Sequence, residues 1–189
     1  MKTDTYVHAG EILLPLARAA IARELGRPVA PVEEPEWLRE PGACFITLKH
    51  GERLRGCIGS LRAHRALGED VRANAVAAAF RDPRFKPLTA DELETTGIEV
   101  SVLSALEPLR FEDECDALSQ LEPGIHGVVF EYGYHHSTFL PQVWEELPEP
   151  GEFLAHLKQK AGLPPDFWDA EVKLGRYTVS KFSEEPREP

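Results

Sequence analysis

The stretch that most constrains the fold is a period-two pattern of apolar residues over positions 43–49. Cys44, Ile46 and Leu48 occupy every second position, which predicts a strand with one buried face. The His50–Gly51 pair then indicates a turn, and residues 54–60 predict the partner strand. Two glycines in that partner would weaken a plain strand, so they indicate a bulge or a close approach by other atoms.

Helical patterns lie on both sides of this predicted hairpin. Apolar residues recur at helical spacing over residues 8–25, 66–80 and 151–161. Gly26 favours a stop for the first helix, although Pro15 favours a late start for it. Thr89 and Glu92 have capping-box spacing, which opens a short helix. Further strands are predicted over 98–103, 126–132, 138–143 and 176–182, so the fold class is α+β with a mainly antiparallel sheet flanked by helices.

The length of 189 residues suits one domain or two tightly joined lobes. Residues 26–41 contain four prolines and predict an extended surface connection rather than a domain boundary. We expect one domain over residues 8–183 and a polar tail over 184–189. No apolar run is long enough for a membrane span, no secretory signal is visible, and three widely separated cysteines favour a reducing, cytoplasmic location.

The charge is distributed unevenly along the chain. The net charge is −11, which argues against a broad nucleic-acid-binding surface. Residues 49–86 nevertheless carry nine basic and four acidic groups, and residues 87–122 carry one basic and ten acidic groups. The basic segment is either a solvated face with internal ion pairs or the lining of a site for an anion.

Cys57 stands between two glycines inside this basic segment. A cysteine with so little side-chain cover leaves its sulfur and the flanking amides open to a ligand. Arg53 and Arg55 would favour its thiolate form if they also lie close in space. The alternative is that Cys57 is a buried small apolar residue, which is the commoner role of a free cysteine.

Three further residues are candidates for the same site. Arg84 could reach back toward Arg55 and complete an anion site, whereas the alternative for Asp82 and Arg84 is a simple stop after the helix. Glu99 lies on the polar face of its strand, and if that face is covered it needs a cationic partner, for which an arginine of the basic segment is the natural choice.

The histidines permit a metal hypothesis. His126, His135 and His136 could supply imidazoles, but adjacent histidines in a strand point to opposite sides, and no cysteine or carboxylate shows metal-site spacing. A solvated turn is the better interpretation, and we predict no metal. The common phosphate-loop, dinucleotide, GxSxG and HExxH motifs are absent from the sequence.

Several ordered motifs resemble one known family, the AMMECR-type domain, called AmmeMemoRadiSam system protein A in prokaryotes. The sequence LRGCIG over residues 54–59 resembles its signature, and the similarity covers residues 8–183. The other matching segments, in order, are GACFITL over 42–48, DPRF over 82–85, IEVSVL over 98–103, LPQV over 140–143 and KAGL over 160–163.

The resemblance implies a two-lobe α+β domain with the signature at or near a cleft. It supplies no established reaction and leaves the cofactor unknown. It offers candidate positions rather than assigned roles: Arg55, Gly56, Cys57, Gly59, Asp82, Arg84, Glu99 and Gln142. It also implies partners, namely a Memo-like protein and a radical S-adenosylmethionine protein. Many relatives have a cysteine where this chain has Lys158, so a mechanism that needs that second thiol could not operate here.

Two hypotheses follow. In the first, the chain is an enzyme or enzyme subunit that binds a small anionic or nucleotide-like ligand, with Cys57 as the thiol and Arg55 and Arg84 as anion holders. In the second, it is a non-catalytic adaptor that docks onto a Memo-like or radical S-adenosylmethionine partner. Nucleic-acid binding is a third and weaker possibility, because the basic segment has few aromatic residues for stacking.

Overall fold

A computed structural model describes residues 8–184 of the chain. Within that range the chain forms two compact units, one built from residues 8–103 and 180–184 and the other from Ser104–Val179. The polar tail predicted over 184–189 lies, apart from Glu184, outside the described residues. In the described part of the chain, no helix combines the length and the apolar content that crossing a membrane requires.

Helices are interspersed with strands that pair antiparallel, which makes this an α+β fold. The helices are α1 (Gly10–Glu24), α2 (Leu67–Phe80), α3 (Ala90–Thr95), α4 (Glu114–Ser119) and α5 (Pro150–Lys160). The strands are β1 (Pro41–His50), β2 (Arg53–Gly59), β3 (Arg65–Ala66), β4 (Thr96–Leu103), β5 (Glu107–Pro108), β6 (Gly127–Tyr132), β7 (His135–Phe139), β8 (Lys173–Tyr177) and β9 (Val179–Ser183).

The first unit is a sheet with the strand order β2-β1-β4-β9, and β3 also pairs with β1. The predicted hairpin is confirmed, since β1 and β2 pair antiparallel with Thr47 opposite Cys57. The register shifts after Leu48, which leaves Arg55 as the extra residue of a β-bulge. The sequence predicted a bulge or close approach here, and the structure contains both.

One face of this sheet is the core of the first unit. Cys44, Ile46 and Leu48 are fully buried, as the period-two pattern predicted. Helices α1 and α2 cover this face, and α2 packs on both β1 and β2. The opposite face presents the alternate side chains, among them Thr47 and Lys49 from β1.

Helix α1 begins close to the predicted residue 8. It starts at Gly10 and contains Pro15, so the late start that the proline favoured does not occur. The N–H groups of Ile12 and Leu13 donate to the carbonyl of Ala9 and close the turn before the proline. The helix therefore tolerates the missing N–H of Pro15. The predicted stop at Gly26 is confirmed by its φ of 73°.

The second unit is a sheet with the strand order β5-β8-β6-β7, packed against α4 and α5. Phe130, Phe153, Leu154 and Leu157 are fully buried in its core. Lys158 is also buried, and its Nζ donates to Glu114 Oε1 at 2.8 Å and to the carbonyl of Phe167 at 3.0 Å. Lys158 therefore forms an ion pair whose ammonium end is buried, while Glu114 is about one-third exposed.

Two predicted strands need correction. Residues 176–182 form two strands, because β8 belongs to the second sheet and β9 to the first, with Thr178 between them. The strand predicted over 138–143 ends at Phe139, since Pro141 lacks the N–H that a ladder needs and begins a 3-10 helix. Helix α4, short and acidic, was not predicted.

Candidate functional site

Gly56 is where β2 touches α2. A Cβ atom at this position would lie 2.2 Å from the carbonyl oxygen of Ala78, far inside van der Waals contact. Any other residue would therefore push the strand away from the helix. This close approach is made by the chain's own backbone, and it accounts for the glycine that precedes Cys57.

Gly59 has a comparable role on the other side of the cysteine. A Cβ atom there would lie 2.3 Å from the ring of Phe45 and 2.7 Å from the carbonyl oxygen of Cys44. Packing within the chain thus explains both glycines of the Cys57 segment, by which we mean residues 54–59. Neither glycine requires a ligand to explain it.

The backbone of Cys57 is held by the turn that follows α2. The N–H of Cys57 donates to Asp82 Oδ2 at 2.9 Å, and the carbonyl of Cys57 accepts from Arg84 Nη2 at 3.4 Å. β2 is an edge strand, so at this residue two side chains take the place that a neighbouring strand would occupy. Asp82 and Arg84 therefore position Cys57.

Asp82 and Arg84 also pair with each other. Arg84 Nε and Nη2 donate to the two oxygens of Asp82 at 3.0 and 2.7 Å, and the N–H of Arg84 adds a third bond. The Arg84 hydrogen bonds hold the pKa of the Asp82 carboxyl well below its usual value, against the opposing effect of burial. The predicted stop after the helix is thus also a charged clamp.

Arg55 is engaged elsewhere. Its Nε and Nη2 donate to the two oxygens of Glu92, both at 3.2 Å, and Nη2 also donates to the carbonyl of Lys86. These bonds lower the pKa of the Glu92 carboxyl to about 2. Arg55 is 12 % exposed, so it braces the segment and presents little of its guanidinium to a solvent-borne anion. Within the described range, its buried Nη1 is the one such side-chain atom without a hydrogen-bond partner.

Phe85 brings the two arginines to one place. The guanidinium carbons of Arg55 and Arg84 lie 5.9 and 5.4 Å from the centre of its ring. Arg84 thus lies near Arg55, as one of the two alternatives required, while the anion site that the two would complete stays a prediction. Arg53, by contrast, is exposed at the start of β2.

The Cys57 side chain lies on the sheet face opposite the helices and is partly exposed. Thr47 Oγ1 donates to its sulfur at 3.5 Å. Thr47 also pairs with Glu99 on the other neighbouring strand, so Cys57, Thr47 and Glu99 form one row across β2, β1 and β4. The row places a thiol, a hydroxyl and a carboxylate along one line of the sheet.

The partner of Glu99 differs from the prediction. Glu99 is buried on the polar face and does have cationic partners, but they are Lys49 Nζ at 3.2 Å and Lys181 Nζ at 3.0 Å rather than an arginine. The prediction of an arginine partner was wrong because Arg55 and Arg84 are already paired with Glu92 and Asp82. Lys181 could not be predicted, since it reaches this row from the other end of the chain.

A buried polar network beside the segment was missed. Asp70 on α2 accepts from the N–H of Cys44, from Ser60 Oγ, from Arg65 Nε and from Asn74 Nδ2, at 2.7 to 2.9 Å. The i, i+4 spacing of Asp70 and Asn74 was the signal available in the sequence, because it places both on the helix face that packs on the sheet.

Cys44 lies in the core of the first unit, whereas Cys115 and Gln142 belong to the second unit. Burial raises the pKa of the Cys44 thiol far above its usual value, whereas Cys115 is exposed on α4. Gln142 is exposed on a 3-10 helix of the second unit. Among residues 8–184, no group of three or more histidines, cysteines and carboxylates is arranged to hold a metal ion.

Comparison with known proteins gives a consistent result. A family model described as AMMECR1 matches residues 14–182. Protein MJ0810 of Methanocaldococcus jannaschii is 39 % identical over 184 residues, which cover 94 % of this chain and 92 % of that protein. A protein of Aeropyrum pernix is 41 % identical over 190 residues, covering 95 % of this chain and 81 % of that protein.

The fold is also similar to a solved structure. The crystal structure of the uncharacterized protein PH0010 from Pyrococcus horikoshii superposes with a TM-score of 0.79 at 37 % identity, covering 95 % of this chain and 94 % of that one. The family match spans most of the chain and includes the Cys57 segment, the turn at Asp82 and the strand of Glu99. The resemblance found in the sequence is confirmed, and the chain belongs to the AMMECR1 family.

Proposed function

We propose that this protein binds a small anionic or nucleotide-like ligand at the Cys57 segment, with the Cys57 thiol facing the ligand. One observation carries the proposal: the Arg84 side chain is 55 % exposed, whereas the Asp82 carboxylate that balances its charge is 2 % exposed. A ligand that approaches from solvent therefore meets the guanidinium before the carboxylate. Nε and Nη2 of Arg84 donate to Asp82, so Nη1 supplies the N–H donors that a carboxylate or phosphate would accept from.

The roles within this site follow from the contacts. Arg84 would bind the anionic group, and Thr47 would orient the thiol through the bond to its sulfur. Asp82, Arg55, Gly56 and Gly59 would hold the segment in place, since their groups are engaged within the chain. If the protein is an enzyme, Cys57 is the nucleophile that this arrangement offers.

Protection of Cys57 against alkylation tests the proposal. The rate of Cys57 modification by iodoacetamide is followed by mass spectrometry with AMP, with adenosine or without addition. AMP should slow the reaction at least threefold and adenosine should not, while Cys115 serves as an internal control in the same molecule. Arg84→Gln should abolish the protection. Arg53 is an exposed arginine on the strand of Cys57, and Arg53→Gln should preserve the protection. Equal rates with millimolar AMP, inorganic phosphate and no addition would refute the proposal.

A second candidate function is docking onto a protein partner. Leu54 begins the Cys57 segment and Leu61 lies two residues beyond its end. Their side chains are 42 % and 47 % exposed. Exposed apolar side chains on either side of one strand favour a protein contact. The family resemblance suggests a Memo-like or radical S-adenosylmethionine protein of the AmmeMemoRadiSam system as the partner. The test is co-purification with such a partner. Its loss in a double variant that carries Leu54→Ser and Leu61→Ser would support docking, and its retention in that variant would contradict docking.

We further propose a cytoplasmic location. The three free cysteines, of which two are accessible, support a reducing compartment. A protein recovered with Cys57 oxidised in a disulfide from its native cells would contradict that location.

A further inference from the structure

Lys49 and Lys181 converge on Glu99 from the strands on either side of it. β1 and β9 flank β4 in the sheet, and the ammonium groups of both lysines contact the carboxylate. We propose that these two lysines form a second anion subsite, which takes a phosphate or carboxylate group of the ligand. This inference rests on the proposed function, because the subsite would hold the far end of the same molecule.

The geometry suits an oxyanion. Both ammonium nitrogens contact the same oxygen, Glu99 Oε2, at 3.2 and 3.0 Å, so they lie at most about 6 Å apart. A phosphate or carboxylate placed above them can accept hydrogen bonds from both at ordinary N–O distances. Each ammonium has three donors, and the contact with Glu99 uses one of them.

The charges at the subsite do not balance. Among the ion pairs of residues 8–184, two lysines share one carboxylate here, which leaves one positive charge in excess. Lys49 and Lys181 are 42 % and 57 % exposed, while Glu99 beneath them is 11 % exposed. Solvent therefore meets the positive ends, as it does at Arg84.

A purely structural role accounts for one lysine but not for two. One ammonium neutralises Glu99, and Ser183 Oγ donates a further hydrogen bond to the same oxygen at 3.3 Å. The second ammonium is not needed to neutralise Glu99, so its positive charge stays available to an anionic group that approaches from solvent.

The row across the sheet sets the size of the ligand. Cys57, Thr47 and Glu99 lie on adjacent strands in register, and neighbouring strands are about 4.8 Å apart, so the thiol and the subsite are separated by about 10 Å. A single inorganic ion cannot reach both. The ligand class is therefore an elongated small molecule with an anionic group at each end, one bound by Arg84 beside Cys57 and the other by the two lysines.

Titration with inorganic phosphate tests the subsite directly. The ε-methylene signals of ¹³C-labelled lysines in the wild-type protein are followed by NMR and assigned with the variants. Phosphate should shift the Lys49 and Lys181 signals along one saturable curve and leave the signal of Lys173, an exposed lysine of the second unit, unchanged. Absence of a saturable shift at Lys49 and Lys181 up to 50 mM phosphate, a ceiling of the order expected for single-group anion contacts, would overturn the proposal.

Four substitutions sharpen the test. Lys49→Gln and Lys181→Gln should each weaken phosphate binding at the remaining lysine at least fivefold, and Lys173→Gln should have no effect. Glu99→Gln should strengthen phosphate binding at least threefold, because it removes the competing carboxylate charge. Unchanged or weaker binding in a folded Glu99→Gln protein would contradict the subsite; if that variant does not fold, the wild-type titration decides.

The same measurement separates this inference from the proposed function. Arg84→Gln should leave the phosphate curve of the two lysines unchanged while it removes protection of Cys57 by AMP. Lysine shifts without protection would support the subsite and refute the function at Cys57. Protection without lysine shifts would do the opposite.

Discussion

The carboxylate of Asp82 accepts the backbone N–H of Cys57 at 2.9 Å, and through this bond the turn after α2 holds the edge strand of the first sheet. Arg84 completes the contact at the carbonyl of the same cysteine. The two motifs that stand apart in the sequence, over residues 54–59 and 82–85, are therefore one structural unit.

The first prediction concerns Asp82. Asp82→Asn should lower the free energy of unfolding by about 2–3 kcal/mol, because it removes a buried, charge-assisted acceptor and leaves the Arg84 guanidinium without its partner. Urea denaturation measures the change. Asp166→Asn, at an exposed position, is the matched control and should change stability by less than about 0.5 kcal/mol. A loss at Asp82 no larger than in the control would show that the clamp contributes nothing.

The second prediction compares two glycines of one sheet. Gly56→Ala should cost about 3 kcal/mol, since its Cβ would lie 2.2 Å from the carbonyl oxygen of Ala78 and neither backbone can move freely. Gly97→Ala on β4 should be neutral or stabilising by up to about 1 kcal/mol, because the nearest atom to its Cβ is 3.8 Å away. Thermal or urea unfolding of both variants makes the comparison, and similar effects at the two positions would rule out the proposed strand–helix contact.

The third prediction concerns acid. Arg55 holds the pKa of Glu92 at about 2, below its usual 4.5. A carboxyl with a lowered pKa in the folded state contributes stability that is complete above pH 4.5 and disappears as the pH falls toward 2. The free energy of unfolding of the wild type should therefore exceed that of Glu92→Gln by about 1 kcal/mol at pH 6. The value is modest because Glu92 is one-third exposed.

Measurement of unfolding free energies at several pH values checks this. The difference between the two proteins should narrow steadily between pH 4.5 and 2. Glutamine retains an oxygen that can accept the capping bond from the N–H of Thr89, so the loss of the cap does not confuse the comparison. A difference that is constant over this range would show that the pair is not responsible.

Local patterns in the sequence predicted much of the fold, because strands, helix ends and the capping box depend on neighbouring residues. Cys44, Ile46 and Leu48 are buried as their spacing requires, and Thr89 and Glu92 form the predicted box. The division of residues 176–182 between two sheets could not be predicted, since both halves have the same β-forming character and the choice depends on distant partners.

The candidate site was predictable in part for the same reason. The sequence predicted that the motifs of Cys57 and Arg84 contribute to one site. It could not show that Arg55 is engaged by Glu92. It also could not supply Lys181, which lies 82 positions after Glu99 and meets it through the order of the strands. Contacts of this kind are set by topology rather than by spacing.

The central claim is that Cys57 faces a site that attracts anions, and the ratio of its reaction rates with iodoacetate and iodoacetamide tests it most directly. The two reagents have similar size and differ in charge, and Cys115, exposed between Glu114 and Asp116, gives the reference ratio in the same molecule. We predict a ratio at Cys57 at least fivefold above that at Cys115, reduced by Arg84→Gln and by added salt. A ratio at Cys57 equal to or below that at Cys115, unaffected by Arg84→Gln, would contradict the account.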